Sequence, residues 1–280
     1  MASATIDRRL TQQLADQMFS RAAGAPLVGG NAVRVLRDAA ENYPAWEAAF
    51  ADAAASIDVE MYIVRADAVG RRFVALLAEH AQRGVRVRLL YDWFGAGWSA
   101  ARGLFAPLRR AGADVRAANP PSPRAPLGWL SRDHRKLLVV DDRVAFVGGL
   151  GVGAEWAGDA AAGREPWRDT GVEIAGPAAV DAAAALAARS RAAGGAVEPP
   201  GPPPPATDAP VHVRLVTSEP FAANLLRTDL LICALARRTL WITDAYFVGT
   251  GSYVDALRRA AEDGVDVRLL LPRGSDVGWT

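Results

Sequence analysis

Phe73 to Leu90 reads FVALLAEHAQRGVRVRLL and Tyr253 to Leu270 reads YVDALRRAAEDGVDVRLL, and the two stretches align without a gap. Each is a helical pattern stopped by a glycine, Gly84 or Gly264, and followed by the same G-V-x-V-R-L-L run. The glycines are offset by 264 − 84 = 180 residues. The preceding segments correspond as well: Ile57, Val59 and Tyr62 resemble Leu240, Ile242 and Tyr246 with one residue inserted. A match of this length points to a duplicated strand–helix–strand unit, and so to two similar α/β halves.

Outward from the first copy, the pattern stays α/β. Val33, Val35 and Leu36 suggest a short strand, Pro44 to Ala55 a helix, Ile57 to Ile63 a strand and Gly70 to Arg83 a helix. Val85 to Tyr91 is apolar enough for an inner strand, and Val180 to Ala193 is an alanine-rich helix. Met1 to Gly30 reads as a peripheral segment with one mildly amphipathic helix (Leu10, Leu14, Met18, Phe19). Between Pro199 and Pro205 every residue but Gly201 is proline, which cannot join a ladder and favours an extended spacer. The expected division is therefore a peripheral segment over 1–30, a first half over 31–193, a linker over 194–210 and the opening of a second half over 211–280.

Composition narrows the chemistry. The chain has 280 residues, net charge +1 and a sequence pI near 8.0, with its basic residues scattered. A protein that grips DNA through phosphates carries a basic stripe, so nucleic acid is not the favoured partner. Cys233 is the sole cysteine, which excludes an internal disulfide and suggests a reducing compartment. There is no continuous apolar leader and no apolar stretch of membrane-spanning length, so the expected location is cytoplasmic, peripheral to a membrane if the substrate is a lipid. Of the 32 Lys+Arg residues only one is lysine, Lys136.

That lysine lies in His134-Arg135-Lys136-Leu137-Leu138-Val139-Val140-Asp141, followed by Asp142, Arg143, a second apolar run over Val144 to Val147, and Gly148-Gly149. The two apolar runs read as strands joined by a tight turn. Side chains alternate along a strand, so His134 and Lys136 are expected on one face. A neutral imidazole nitrogen is a competent nucleophile toward phosphorus, and a fixed ammonium neutralises the non-bridging oxygens as the pentacoordinate species forms. Gly148 and Gly149 offer backbone N–H groups to the same phosphate.

These residues resemble the phospholipase D superfamily, whose signature is H-x-K-x4-D followed by a small pair and usually an Asn. The flanks fit as well: G-N-A-V-R-V-L from Gly30, E-M-Y-I at Glu60 to Ile63, G-V-R-V-R-L-L-Y-D at Gly84 to Asp92 and A-Y-F at Ala245 to Phe247, with a flavour of bacterial cardiolipin synthases. The resemblance implies the phospholipase D fold, two α/β halves with mixed sheets flanked by helices. It implies His134 as nucleophile or partner acid, Lys136 as phosphate binder, Asp141 as a mainly structural member, and Asp169, in P-W-R-D-T-G-V-E-I-A-G, as the carboxylate that orients the histidine. It further implies a phosphatidyl transfer or phosphodiester cleavage through a phospho-histidine, with no cofactor and no metal, on a phospholipid at a membrane surface.

Two departures stand out. Gly151 occupies the place of the usual Asn. The second motif, expected near 134 + 180 = 314, lies outside the 280 residues, so this chain holds half a site to be completed by a further half or a second chain. Glu60 and Tyr62 are candidates to line the cleft, and Trp129, Trp156 and Trp167 candidates for an apolar mouth, although packing is the commoner role for tryptophan. His80 and His212 stand outside any matching context and read as structural. Two other readings stay open: a single-motif nuclease that pairs two chains, and a non-catalytic module for anionic head groups.

Overall fold

The computed structural model of the protein describes residues 8–123, 130, 132–195, 197, 199–209, 211–218 and 222–273. It separates into two compact units, one over Val28–Leu215 and one made of the flanking segments up to Leu27 and from Val216.

The larger unit is built on an eight-stranded mixed sheet. Its strands are β1 (Val28–Arg37), β2 (Ser56–Met61), β3 (Arg86–Asp92), β4 (Asp114–Ala118), β5 (Lys136–Val140), β6 (Val144–Gly148), β7 (Thr170–Ala175) and β8 (Val211–Val213). The order across the sheet is β4-β3-β2-β5-β6-β7-β1-β8. Strands β2, β3 and β4 run parallel, as helical crossovers require, whereas β5, β6, β7 and β1 pair antiparallel. Helices α2 (Asp38–Ala51) and α3 (Ala68–Gln82) cover one face and α7 (Ala179–Ala192) the other. The short helices α4 (Gly97–Ala101), α5 (Ala106–Arg110) and α6 (Ala154–Ala157) fill in the connections.

Central strand β5 is buried along its whole length. Leu138 and Val140 join the cluster with Ile57, Val59, Phe50 and Leu77, while Leu137 and Val139 pack on Ala179, Ala182, Ala183 and Leu186 of α7. A strand covered on both faces needs a continuous apolar run, which K-L-L-V-V supplies after its first residue. Helix α7 is correspondingly alanine-rich because small residues let it lie close to the sheet.

Three expectations shift. The first strand is ten residues long, because β1 pairs with both β7 and β8. Helix α2 starts at Asp38, ahead of Pro44 rather than at it; the Glu41 carboxylate accepts the Arg37 N–H at 2.8 Å and starts the helix in the manner of a capping box. The proline tract packs on the larger unit, through Gly201 N–H to Asp142 (3.3 Å) and Thr207 N–H to the Gly30 carbonyl (2.8 Å), and the contact boundary falls after Leu215.

The smaller unit holds α1 (Arg8–Ala23), α8 (Asn224–Leu235), β9 (Thr239–Thr243), α9 (Gly251–Glu262) and β10 (Asp266–Leu270). Strands β9 and β10 form a parallel pair around a small core of Cys233, Leu240, Leu257, Ala260 and Val265. No described helix is long and apolar enough to cross a membrane.

Candidate active site

Lys136 opens β5 opposite Met61, at the C-terminal end of β2. His134 lies two residues ahead of the ladder, outside the strand, which corrects the expectation of one strand carrying both. The pair still converges. Lys136 Nζ donates to the His134 carbonyl at 2.8 Å and sits 3.1 Å from Nδ1 and 3.4 Å from Nε2 of its ring. Tyr62 completes the pocket wall, its ring 4.4 Å from the His134 ring and 5.2 Å from Lys136 Nζ.

Burial sets the electrostatics. It lowers the Lys136 pKa to about 8, against the pull of Asp169, Asp133 and Asp92 in the opposite direction. His134 is likewise held below the ordinary imidazole value, first by burial and then by the neighbouring ammonium. Near neutral pH the pocket thus presents an uncharged imidazole beside a cation. That combination suits a nucleophile and an anion-binding charge.

Asp169 faces Lys136 rather than the histidine. Its carboxylate accepts the Thr170 N–H at 2.8 Å and the Trp156 indole N–H at 3.3 Å, and no hydrogen bond joins it to the His134 ring. Burial raises its pKa, opposed by those two donors and by Lys136. Its backbone is clamped to the start of α2, with Asp169 N–H to Asp38 Oδ1 at 2.7 Å and Asp38 N–H to the Asp169 carbonyl at 2.9 Å. Asp38 escaped sequence reading because it stands 131 residues away.

Asp141 lies at the β5–β6 turn. In a left-handed turn (φ 53°), its carboxylate accepts the N–H groups of Ala54, Ala55 and Ser56 at 2.8, 2.8 and 2.6 Å. Desolvation opposes ionisation, but the three donors together hold its pKa below the usual carboxylate range. The β5–β6 turn is thereby pinned to the entry of β2.

Gly148 and Gly149 contribute room. A Cβ on Gly149 would lie 2.3 Å from Asp169 Oδ1, and one on Gly148 would lie 2.9 Å from the Gly171 Cα. The Gly149 N–H is directed at the Thr170 carbonyl (3.4 Å), away from the role of phosphate donor expected for it. Gly151 is explained by Trp156, whose indole would stand 2.6 Å from any Cβ there. Trp156 is buried and stacks edge-on with half-exposed Trp167, so packing rather than a mouth is its role; Trp129 lies outside the described residues.

Glu60 does not reach the cleft. It is 1% exposed, 3.9 Å from Arg189 of α7 and 4.0 Å from Arg135, and burial together with the Asp133 carboxylate pushes its pKa well above the usual range. Arg189 also binds Asp133 at 2.9 Å, and the Asp133 N–H donates to Asp92 at 2.8 Å. The backbone next to His134 is therefore fastened from α7, by Arg189, and from the end of β3, by the Asp92 that closes the G-V-R-V-R-L-L-Y-D run. His80 is buried on α3, bonded to the Leu76 carbonyl at 2.8 Å, and His212 is an exposed residue of β8. Among the described residues no cluster of His, Cys, Asp or Glu has the arrangement of a metal site.

Residues 47–155, from α2 through the motif, match the family model of the cardiolipin synthase, phospholipase D-like domain. The chain belongs to the phospholipase D superfamily. Within it, the likeness is to cardiolipin synthases. The chain is 30% identical to the cardiolipin synthase of Halalkalibacterium halodurans over 95% of its own length and 54% of that protein's. It is 34% identical to cardiolipin synthase A of Pseudomonas aeruginosa, over 90% and 51%. It thus spans about half the length of the curated relatives it matches. The fold is shared with the phosphatidylserine synthase of Haemophilus influenzae, with a TM-score of 0.66 and 13% identity, covering 92% of this chain and 65% of that one.

Proposed function

We propose that this chain supplies one H-x-K half of a phosphatidyltransferase of the cardiolipin synthase type, acting at the membrane surface from the cytoplasmic side. The observation that carries this reading is the buried Lys136 ammonium 3.1 Å from the ring of an imidazole held neutral. A ring nitrogen of His134 attacks the phosphorus of a phospholipid. The N–P bond forms, the P–O bond to the departing alcohol breaks, and an acid from the other half of the site gives that oxygen its proton. An acceptor hydroxyl then attacks the phosphohistidine, surrenders its proton to the same group and frees His134. Lys136 holds the phosphoryl oxygens throughout, Asp169 balances the ammonium, and Asp141 keeps the turn in place.

The second half of the site is proposed to come from a strand that pairs with β9, on a further stretch of the same protein or on a second copy. In the larger unit Ile57 pairs with Val87; in the smaller, Leu240 pairs with Val267. Val267 is equivalent to Val87 (267 − 87 = 180) and Leu240 to Ile57 by the strand alignment (240 − 57 = 183), so equivalent residues pair in both, yet β2 also pairs with motif strand β5 whereas among the described residues β9 pairs only with β10. This supports two equivalent halves, with the boundary between the compact units after Leu215.

The test is to trap the intermediate. A short-chain phosphatidyl substrate given to the chain, alone and together with the remainder of its parent protein, is expected to leave an acid-labile, base-stable phosphoramidate on His134, read by mass spectrometry. Turnover that survives His134→Ala with no adduct would overturn the proposal.

A further inference from the structure

The segment after β3 carries the least conventional surface of the larger unit. Trp98, on α4, is 73% exposed and Phe94 is 59% exposed. Tryptophan normally hides most of its large apolar face, so a pair of rings left in water is informative. Both are dressed with arginine: the Arg102 guanidinium lies 5.4 Å from the Trp98 ring centre, and that of Arg132 lies 4.5 Å from Phe94 and 5.7 Å from Trp93. From Trp93 to Ala113 the chain holds Arg102, Arg109 and Arg110 and no acidic residue, although the whole protein is nearly neutral. Exposed aromatic rings on a segment whose charged residues are all arginines, with Arg102 against Trp98, match an interface whose surface is anionic and whose interior is apolar.

The patch is rigidly joined to the site. One Asp92 oxygen accepts the N–H groups of Phe94 and Gly95, each at 2.9 Å, and the other accepts the Asp133 N–H at 2.8 Å, beside His134. Gly95 presses on the Tyr62 backbone so closely that a Cβ would lie 2.2 Å from its carbonyl oxygen, and the Tyr62 ring is the wall of the pocket. A single buried carboxylate therefore sets the exposed rings and the histidine in one frame.

We infer that Phe94 and Trp98, with Arg102, form a docking surface for an anionic phospholipid bilayer beside the His134–Lys136 pocket. The rings enter the boundary between head groups and acyl chains, and the Arg102 guanidinium meets lipid phosphates above them. Held by Asp92, the docked surface presents head groups to Lys136 in a constant orientation. The inference rests on the phospholipid reading of the site and adds the surface by which substrate is met.

Co-sedimentation of the full chain with vesicles tests it. Binding is expected to vesicles rich in phosphatidylglycerol and to be weak on pure phosphatidylcholine. Phe94→Ala with Trp98→Ala should weaken the anionic binding by roughly tenfold, and Arg102→Gln by about fivefold. Trp241→Ala removes another exposed, arginine-stacked tryptophan, in the smaller unit, and should leave binding unchanged. Circular dichroism of each variant should match the parent, since the altered side chains are exposed. Absence of vesicle binding by the parent chain, equal loss in Trp241→Ala, or displacement of vesicles by a single-stranded oligonucleotide bound more tightly would overturn the inference. Because the readout is adsorption, its failure is separable from that of the proposed chemistry: a chain that forms the His134 adduct from a soluble phosphodiester but ignores vesicles refutes the docking surface alone.

Discussion

Strand pairs β2–β3 and β9–β10 share a sequence pattern and a register, and differ in almost everything around them. Every residue of β2 is buried, whereas β9 alternates between exposed and covered positions. Leu89 and Leu90 are 1% and 2% exposed; their counterparts Leu269 and Leu270, in the same V-R-L-L run, are 42% and 66% exposed. Local pairing follows from the pattern each segment carries, because strand register depends on neighbours close in sequence and on the helix that connects them. Burial follows from what packs next to the pair. In the larger unit β5, β4 and α7 supply that; among the described residues of the smaller unit no corresponding strands do.

The comparison can be broken most decisively at the chemistry. If only the copy flanked by β5 carries a nucleophile within this chain, His134→Ala should lower phosphatidyl transfer by about a thousandfold or more. His212→Ala should leave it unchanged, both measured by product formation with the complementing half present. Equal losses in the two variants would remove the asymmetry on which the site assignment stands.

Stability sharpens the same contrast. Leu89→Ala removes a buried side chain and should cost about 2–5 kcal/mol in urea unfolding. Leu269→Ala, at the equivalent position, should cost less than about 1 kcal/mol. Similar losses at both positions would mean that the second pair is covered as fully as the first.

A smaller effect, of opposite sign, belongs to the site. The folded state lowers the Lys136 pKa from 10.5 to about 8, so it disfavours the ammonium. That penalty is fully present below pH 8 and fades as pH rises toward 10.5. Lys136→Met should therefore stabilise the protein at pH 7 by on the order of 2–3 kcal/mol, seen as a higher thermal midpoint, with the gain gone near pH 11. An unchanged midpoint would show that the ammonium is well solvated. The smallest expected effect is on ligand affinity. A simple phosphodiester does not titrate near neutrality, so its binding should weaken as pH rises through about 8, where Lys136 loses its charge. In calorimetry Lys136→Arg should bind without that decline.

Much of this protein was legible in one dimension. The repeat, the alternation of strand and helix, the glycine stops and the H-x-K spacing are short-range patterns, and each reports the local geometry that produces it. The turn between the two apolar runs, which holds Asp141, could be placed because Asp-Asp-Arg there suits a tight turn. What stayed hidden involves partners far apart in the chain. Glu60 follows the period of its strand, but which face meets Arg189 depends on where α7 lies. The fastening of Asp133 by Asp92 and Arg189, and of Asp169 by Asp38, joins segments separated by 41, 56 and 131 residues.

The tryptophans mark the limit most clearly. Trp156 and Trp98 are the same residue type in similar alanine- and glycine-rich surroundings, yet one fills the space left by Gly151 and the other stands in water. By itself, then, the sequence determined the secondary elements, their duplication and the H-x-K pair proposed to react, because those depend on residue type and spacing. Only the tertiary structure decided which charges are buried, which carboxylate faces the lysine and which rings remain exposed. Those properties belong to the packing of distant segments, and solvent exclusion by that packing is what shifts the pKa values of the site.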